Sequence, residues 1–165
     1  VEHQLRVALG ERLPEAMRNV TLSGHAIEAR LYAEDPAKGF IPKPGDVTTL
    51  TWPEGMGESV RIDAGVRAPG KVTPYYDPMI AKIIAHAPTR AEAIAKLGGA
   101  LAQVEVAPSP ASRWPRPAKL GGALAQVEVA PLVTNLAFLK AVLKSDEFAA
   151  GAYDTTFAEI FAKRK

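Results

Sequence analysis

The stretch GHAIEARLYAEDP, residues 24–36, alternates between apolar and polar side chains over residues 26–32. Successive side chains of a β-strand point to opposite faces of the sheet, so this alternation predicts a strand. The apolar residues fall on one predicted face: Ile27, Ala29 and Leu31. The polar residues fall on the other: Glu28, Arg30 and Tyr32.

Glu28 and Arg30 are therefore neighbours on the same predicted face. Two residue rises of about 3.3 Å separate them by about 7 Å along the strand. A carboxylate at that distance can orient a guanidinium group and leave its fork of donors free for a ligand. The alternative is an amphipathic strand whose charged face is simply solvated, and the spacing alone leaves both interpretations open.

Composition indicates one ordinary soluble globular domain. The chain has 165 residues, of which 47% are apolar and 23% charged. The net charge of +2 argues against a nucleic-acid or membrane partner. No apolar run approaches the roughly 18 residues of a membrane span. Cysteine is absent and the three histidines have no metal-ligand spacing, so we predict no disulfide and no metal site.

Further strands and helices follow from local patterns. Apolar or β-branched runs predict strands at residues 47–52, 60–64 and 79–86. A capping box opening at Thr89 predicts a helix over residues 90–103, and its Gly98-Gly99 pair suggests close packing on the sheet. Two later helices are predicted: one from Leu136, capped by Thr134 or Asn135, and one opened by a capping box at 156–159.

A repeat interrupts this pattern. Residues 95–108 recur identically at residues 118–131, and the proline-rich spacer 109–117 separates the two copies. Two copies do not make a solenoid, which needs three or more units. We interpret the repeat as a duplication or a defect of the predicted gene, and expect the spacer to be an exposed, poorly ordered excursion. The fold class predicted overall is α+β, with an antiparallel β-sheet and flanking helices.

Three motifs in order resemble the C-terminal part of biotin carboxylase, the subunit or domain of biotin-dependent acyl-CoA carboxylases. They are GHAIEARLYAEDP at residues 24–36, FIPKPG at 40–45 and PYYDPMIAK at 74–82. The resemblance implies a biotin carboxylase C-terminal domain-like fold over residues 22–165. Residues 1–21 would then be a remnant of the end of the ATP-grasp region. It also implies that the chain is a fragment of a ligase that carboxylates biotin.

The resemblance also implies roles for individual residues. Arg30 matches the catalytic, biotin-facing arginine, with Glu28 as its supporting carboxylate. Asp77 is a candidate second partner of Arg30, although a turn aspartate that caps local backbone is an equal alternative. Val1 matches a bicarbonate-binding position, and Glu2 matches the base. About a dozen family residues are missing after His3, and a general base needs hydrogen-bond reach of its proton, so we do not expect Glu2 to act in this chain.

Cofactors and partners are likewise implied by resemblance. The complete enzyme would use ATP, Mg2+ and biotin on a carrier protein, and none should bind this fragment tightly. Its partners would be the biotin carboxyl carrier protein or domain, a carboxyltransferase component and the missing N-terminal ATP-grasp part. The complete enzyme would be a homo-oligomer of the cytoplasm, or of the mitochondrial matrix in a eukaryote. The alternative is a non-catalytic binding or scaffold domain that retains only subunit contacts.

Overall fold

A computed structural model describes residues 1–108 and 132–164 of the chain. The described strands, in chain order, are β1 (His25–Tyr32), β2 (Glu34–Asp35), β3 (Ile41–Pro42), β4 (Gly45–Thr51), β5 (Val60–Ala64), β6 (Gly70–Val72), β7 (Met79–Ala87) and β8 (Glu105–Pro108). The described helices are α1 (Glu2–Ala8), α2 (Arg90–Gln103), α3 (Leu136–Val142), α4 (Asp146–Ala150) and α5 (Phe157–Ala162). The spacer 109–117 and the second repeat copy 118–131 lie outside the described residues.

The strands divide among three antiparallel sheets within the described residues. The first has the order β1-β7-β5, the second pairs β2 with β3, and the third has the order β6-β4-β8. The α+β class with antiparallel strands is therefore as predicted. The segment Ile41–Pro42 pairs with Glu34–Asp35 as a short antiparallel ladder.

The core lies between the β1-β7-β5 sheet and helix α2. The predicted alternation of β1 is confirmed, because Ala29 and Leu31 are buried while Glu28 and Arg30 are exposed. Fully burying a side chain of leucine size contributes about 1.5–3 kcal/mol. The apolar face of the sheet meets the buried face of α2 through these residues: Leu31, Ile83 and Ala85 from the sheet, and Ala93, Leu97, Ala100 and Leu101 from the helix.

Gly24 permits the entry into β1. Its φ is +70°, a left-handed conformation that glycine adopts without steric cost. A Cβ atom at this position would lie 2.5 Å from the carbonyl oxygen of Ala87 and 2.7 Å from Nε2 of His86. The close approach of this turn to the end of β7 therefore requires glycine.

Helix α2 confirms its predicted cap and corrects its predicted packing. The Thr89 hydroxyl accepts a hydrogen bond of 3.3 Å from the Glu92 N–H, as a capping box requires. The glycine pair is not explained by close packing on the sheet. A Cβ at Gly98 would have no neighbour within 4 Å, and one at Gly99 would make only an ordinary contact with Met56.

Two other predicted caps are wrong in their details. Asn135 occupies the N-cap position of α3, but its side chain makes no cap hydrogen bond. Thr156 precedes α5 without capping it, because its hydroxyl and its N–H both donate to Asp154 Oδ1, at 2.7 and 2.8 Å. In each case the side chain forms hydrogen bonds with other groups instead. Asn135 bonds to the backbone of β1, and Thr156 bonds to Asp154.

Leu5, Ala8 and Leu9 are spaced as on one face of a helix, and helix α1 ends at Ala8. So short a helix is marginal in water by itself and depends on packing against other parts of a protein. None of its residues is buried within the described structure, and Leu5 and Leu9 are 62% and 81% exposed. This apolar segment is therefore left uncovered by the described residues.

Candidate functional site

The outer face of the β1-β7-β5 sheet carries the candidate site. Two rows of side chains cross its three strands, because residues paired directly across strands share a face. The first row comprises Arg30, Lys82 and Asp63. The second row comprises Glu28, Ile84 and Arg61. Each edge strand therefore presents one acidic and one basic side chain, two residues apart, on the same face.

Arg30 is held loosely on this face. Its Nε lies 3.5 Å from Glu28 Oε1, and its guanidinium carbon is 5.8 Å from the centre of the Tyr32 ring. Charge-assisted N–H···O hydrogen bonds are about 2.7–2.9 Å long, so the contact with Glu28 is an ion pair without a short hydrogen bond. The side chain is 52% exposed. The guanidinium group can therefore offer its fork to a ligand.

The matching pair on β5 is closed. Arg61 donates from Nη2 to Asp63 Oδ2 at 2.7 Å and from Nε to Oδ1 at 3.0 Å. Hydrogen bonding by Arg61 lowers the pKa of Asp63, and the same bonds raise the pKa of Arg61. Two N–H donors of Arg61, one on Nε and one on Nη2, are engaged by Asp63, so this edge of the guanidinium group is closed to a ligand.

Asn135 holds the end of the strand that carries Arg30. Its Oδ1 accepts from the Tyr32 N–H at 2.9 Å, and its Nδ2 donates to the Arg30 carbonyl oxygen at 3.1 Å. The Asn135 N–H donates to the Tyr32 carbonyl oxygen at 3.2 Å. Sequence reasoning missed this contact, because the residue follows the repeat, more than a hundred positions after β1. Its only local signal was that of a helix cap.

Glu34 lies beside this contact and is half-buried. Burial raises the pKa of its carboxyl group, the hydrogen bond from Asn135 Nδ2 (3.2 Å to Oε1) lowers it, and the charge of Asp77 raises it. Burial is the largest of these effects. The carboxylate of Asp77 is thus electrostatically coupled to Glu34.

Asp77 itself follows the turn alternative in its local geometry. Its Oδ1 accepts a hydrogen bond of 3.0 Å from the Met79 N–H. Among residues 1–108 and 132–164, no hydrogen bond or ion pair joins Asp77 to Arg30. Its role as a second partner of Arg30 stays a prediction.

Neither Val1 nor Glu2 contacts Arg30 through a hydrogen bond or ion pair among the described residues. Val1 is exposed, and Glu2 Oε1 accepts from Arg6 Nη2 at 2.7 Å and from Nε at 3.0 Å. The part of the chain that the structure describes contains no hydrogen bond or ion pair between either residue and β1. The structure thus brings Glu28 to Arg30 and leaves the proposed roles of Val1 and Glu2 as predictions.

A cleft of about 710 Å³, which Arg30 does not line, lies between the turn at residues 35–40 and helices α3 and α5. Phe138 packs edge-on against Phe40 and Phe161, with ring centres 5.1 and 5.9 Å apart. Among the described residues no group of histidine, cysteine, aspartate or glutamate side chains could hold a metal ion. The same residues include no helix of sufficient length and apolarity to cross a membrane.

The fold and the face define a small α+β domain that displays an arginine on an open sheet. A family model for the biotin carboxylase C-terminal domain matches residues 28–113, just over half of the chain. The chain belongs to the biotin carboxylase C-terminal domain family. The resemblance inferred from the three motifs is therefore confirmed.

Individual relatives show how much of an enzyme the chain represents. It is 41% identical over 165 residues to a biotin carboxylase of Halalkalibacterium halodurans, covering all of this chain and 31% of that protein. It is 38% identical over 159 residues to the mitochondrial methylcrotonoyl-CoA carboxylase subunit alpha of Arabidopsis thaliana, covering 96% of this chain and 18% of that protein. The chain thus spans a third or less of the length of these relatives.

A solved structure has the same fold. The crystal structure of the biotin carboxylase domain dimer of Hydrogenobacter thermophilus 2-oxoglutarate carboxylase contains MgADP, ADP and bicarbonate. It matches this chain with a TM-score of 0.74 and 29% identity, covering 95% of this chain and 29% of that one. The domain fold is therefore that of the C-terminal part of known biotin carboxylases.

Proposed function

We propose that this chain is the C-terminal portion of a biotin carboxylase, the ligase that uses ATP and bicarbonate to carboxylate biotin on its carrier protein. Bicarbonate is activated as carboxyphosphate, and the ureido nitrogen of biotin then attacks carbon dioxide. The ureido nitrogen must lose its proton to a base before it attacks, and negative charge then develops on the ureido oxygen. Arg30 holds that oxygen, and Glu28 orients the guanidinium from the same strand.

The observation that carries this proposal is the state of the Arg30 side chain. It is half-exposed and has one ion pair of 3.5 Å, so its donors are available at an open face. A permanent cation that waits for developing charge stabilises the transition state more than the ground state. Arginine remains charged at every physiological pH and presents a planar fork, which suits this task better than lysine.

The remaining parts of the reaction belong to residues outside this family domain. The described residues contain no group of three or more histidine, cysteine, aspartate or glutamate side chains that could hold a metal ion. We propose that ATP and Mg2+ bind an ATP-grasp part, to which residues 1–21 belong, and that residues 22–165 form the C-terminal domain. The carrier protein, a carboxyltransferase component and a second copy of the complete enzyme are the proposed partners. Support comes from the relatives, which are parts of biotin-dependent carboxylases.

A second candidate is a scaffold domain that keeps subunit contacts and has no catalytic role. The uncovered apolar side chains of the first 22 residues favour it, since Leu5, Leu9 and Leu22 are all largely exposed. Such side chains suit contact with another protein part. Both candidates predict an inert isolated chain, and they differ in what the chain supplies to a complete enzyme.

A fusion enzyme separates the two candidates. In it, residues 22–165 of this chain replace the corresponding C-terminal segment of the Halalkalibacterium halodurans relative, which keeps its own ATP-grasp part. We expect the isolated chain to cleave no ATP, and the fusion enzyme to show biotin-dependent ATP cleavage and fixation of labelled bicarbonate. The intact relative and the relative truncated before that segment are the controls. Biotin-dependent ATP cleavage by the purified isolated chain, or a folded but inactive fusion enzyme, would contradict the proposal.

A further inference from the structure

We propose that Asn135 is a positioning residue for Arg30. Its side chain clamps the backbone on both sides of Leu31, at the end of the strand that presents the guanidinium group. The inference rests on the proposed role of Arg30. It adds a residue that lies in a different motif and has no contact with the Arg30 side chain.

The clamp replaces a neighbouring strand. β1 is an edge strand of its sheet, and edge strands present unpaired N–H and C=O groups. Asn135 engages three of them: the Arg30 carbonyl, the Tyr32 N–H and the Tyr32 carbonyl. The chain therefore continues the ladder with one amide side chain and one backbone N–H where no strand is present among the described residues.

The amide orientation of Asn135 is fixed by chemistry. The Tyr32 N–H can only donate and the Arg30 carbonyl can only accept, so Oδ1 faces the first and Nδ2 the second. Nδ2 also donates to Glu34 Oε1 at 3.2 Å, which ties the clamp to β2. The side chain is almost fully buried, since Asn135 is 5% exposed. Water therefore cannot readily replace these bonds.

The direction of the Arg30 side chain depends on this backbone. The guanidinium has one ion pair of 3.5 Å and a distant ring contact, neither of which fixes it firmly. Its Cα position and the twist of the strand end must therefore supply much of the orientation. Small displacements of a positioned group cost large factors in rate, about a hundredfold for 1 Å.

A double-mutant series in the fusion enzyme tests this inference. Asn135→Ala should lower kcat for biotin carboxylation by about ten- to a hundredfold and leave the KM for ATP unchanged. In an Arg30→Ala background the same substitution should lower kcat less than about threefold, because the group that it positions is already absent. Gln103→Ala, which removes an exposed amide bonded only to its own helix, is the matched control and should change neither constant.

The isosteric variant Asn135→Asp protects the test against misfolding. It keeps the acceptor for the Tyr32 N–H but turns an oxygen toward the Arg30 carbonyl and toward Glu34. We expect it to fold and to show the kcat loss of the alanine variant. Full activity of the folded Asp variant would overturn the proposal, as would an undiminished effect of Asn135→Ala in the Arg30→Ala background. If Arg30→Ala alone is fully active, the proposed function fails instead.

Hydrogen exchange in the 165-residue chain gives a readout that does not depend on activity. In Asn135→Asp and Asn135→Ala the Tyr32 amide should exchange at least about tenfold faster, whereas the Ile83 amide at the centre of the sheet keeps its rate. Equal acceleration at both amides would show a general loss of stability and overturn the local clamp. An unchanged Tyr32 amide would overturn it as well.

Discussion

The two edge strands of the β1-β7-β5 sheet carry the same kind of side-chain pair and use it differently. Glu28 and Arg30 lie two residues apart on β1, and Arg61 and Asp63 lie two residues apart on β5, all on one face. The N···O distance of the ion pair is 3.5 Å in the first pair and 2.7 Å in the second. Equal spacing along a strand therefore does not determine whether the pair closes.

Arg30 and Arg61 therefore differ in how closely the neighbouring carboxylate binds the guanidinium group. Arg61 is the more exposed of the two, at 72% against 52%, yet it donates short hydrogen bonds from Nε and Nη2 to its neighbouring carboxylate. Exposure alone would favour Arg61 over Arg30, the residue that we propose as the ligand-binding cation. The number of donors left free by the neighbouring carboxylate is the better guide, because a ligand must displace whatever those donors already bind.

The largest expected effect is the loss of Arg30. In the fusion enzyme, Arg30→Ala should reduce biotin carboxylation about 10²–10³-fold, the usual cost of removing one donor that stabilises developing charge. Arg30→Lys should recover only part of the rate, since it keeps the charge and loses the fork. Initial rates of labelled bicarbonate fixation measure both effects.

Arg61→Ala is the matched control, because it removes the same group from the opposite edge of the same face. It should leave the rate within about twofold of the parent enzyme. Neither substitution should change the free energy of unfolding appreciably, since exposed ion pairs contribute about 0–1 kcal/mol. Equal losses of rate from the two variants would break the distinction between the strands.

A third arginine, Arg90, is expected to contribute to stability and not to ligand binding. Arg90, at the start of α2, donates from Nη2 to the Phe148 carbonyl oxygen at 2.7 Å, and its guanidinium carbon lies 5.0 Å from the Phe148 ring centre. We expect Arg90→Ala to lower the free energy of unfolding by about 1–3 kcal/mol, because it leaves a carbonyl group unpaired and removes a cation–π contact. Urea denaturation of the 165-residue chain measures this.

The control for Arg90 is Arg6→Ala, which removes an exposed arginine paired with Glu2 on α1. It should cost less than about 0.5 kcal/mol, the usual contribution of such a helix pair. Activity of folded Arg90→Ala fusion enzyme should be retained. A selective loss of rate without a loss of stability would place Arg90 in the site and not in the scaffold.

A smaller effect is expected from Glu34, the carboxyl group beside the clamp. Burial raises its pKa in the folded chain above the ordinary value of 4.5. Its protonation therefore favours folding below that value, and this contribution is lost as the pH rises through the folded pKa. Glu34→Gln cannot ionise and keeps an oxygen to accept from Asn135. We expect it to be more stable than the parent chain at pH 7.

The advantage of Glu34→Gln should shrink as the pH falls toward 4.5, because the parent carboxyl group becomes protonated too. Urea denaturation of both chains at a series of pH values from about 4.5 to about 7.5 checks the sign of this effect. Asp154→Asn is a useful contrast, since hydrogen bonds from Thr156 lower the pKa of Asp154. A constant difference across the pH range would exclude Glu34 ionisation as its cause.

The smallest expected effect is that of removing residues 109–131. Pro108 pairs with Val47 on β4, and the backbone of Leu132 lies against Gly45, two residues further along the same strand. The two ends are thus about 7 Å apart along β4, from two residue rises. Joining them should leave the melting temperature unchanged or raise it, because a long insert adds closure entropy and no core.

Leu101→Ala is the positive control for this experiment, because a loss of core packing should lower the melting temperature. Leu101 is fully buried, and such a truncation costs about 2–5 kcal/mol. The deleted chain should also keep the Arg30 and Arg61 contrast in the fusion enzyme, since both edge strands lie outside the deleted segment. A clear fall in melting temperature on deletion would mean that both repeat copies pack.

The sequence by itself determined the elements whose causes are local. The alternation of β1, the start of α2 at its Thr89 cap and the bounds of that helix at residues 90–103 were all predicted from neighbouring residues. Three short motifs were enough to predict the family. These features depend on periodicity and on contacts within one turn, which a sequence shows directly.

Only the tertiary structure decided how the polar side chains are used. Glu28–Arg30 and Arg61–Asp63 have equivalent spacing, and the separation of their free and closed forms came from side-chain geometry on the folded sheet. Asn135 had the sequence signature of a helix cap, but β1 offered three backbone groups to it across the fold. A side chain bonds to whichever partner packing brings close, and a partner a hundred residues away leaves no local trace.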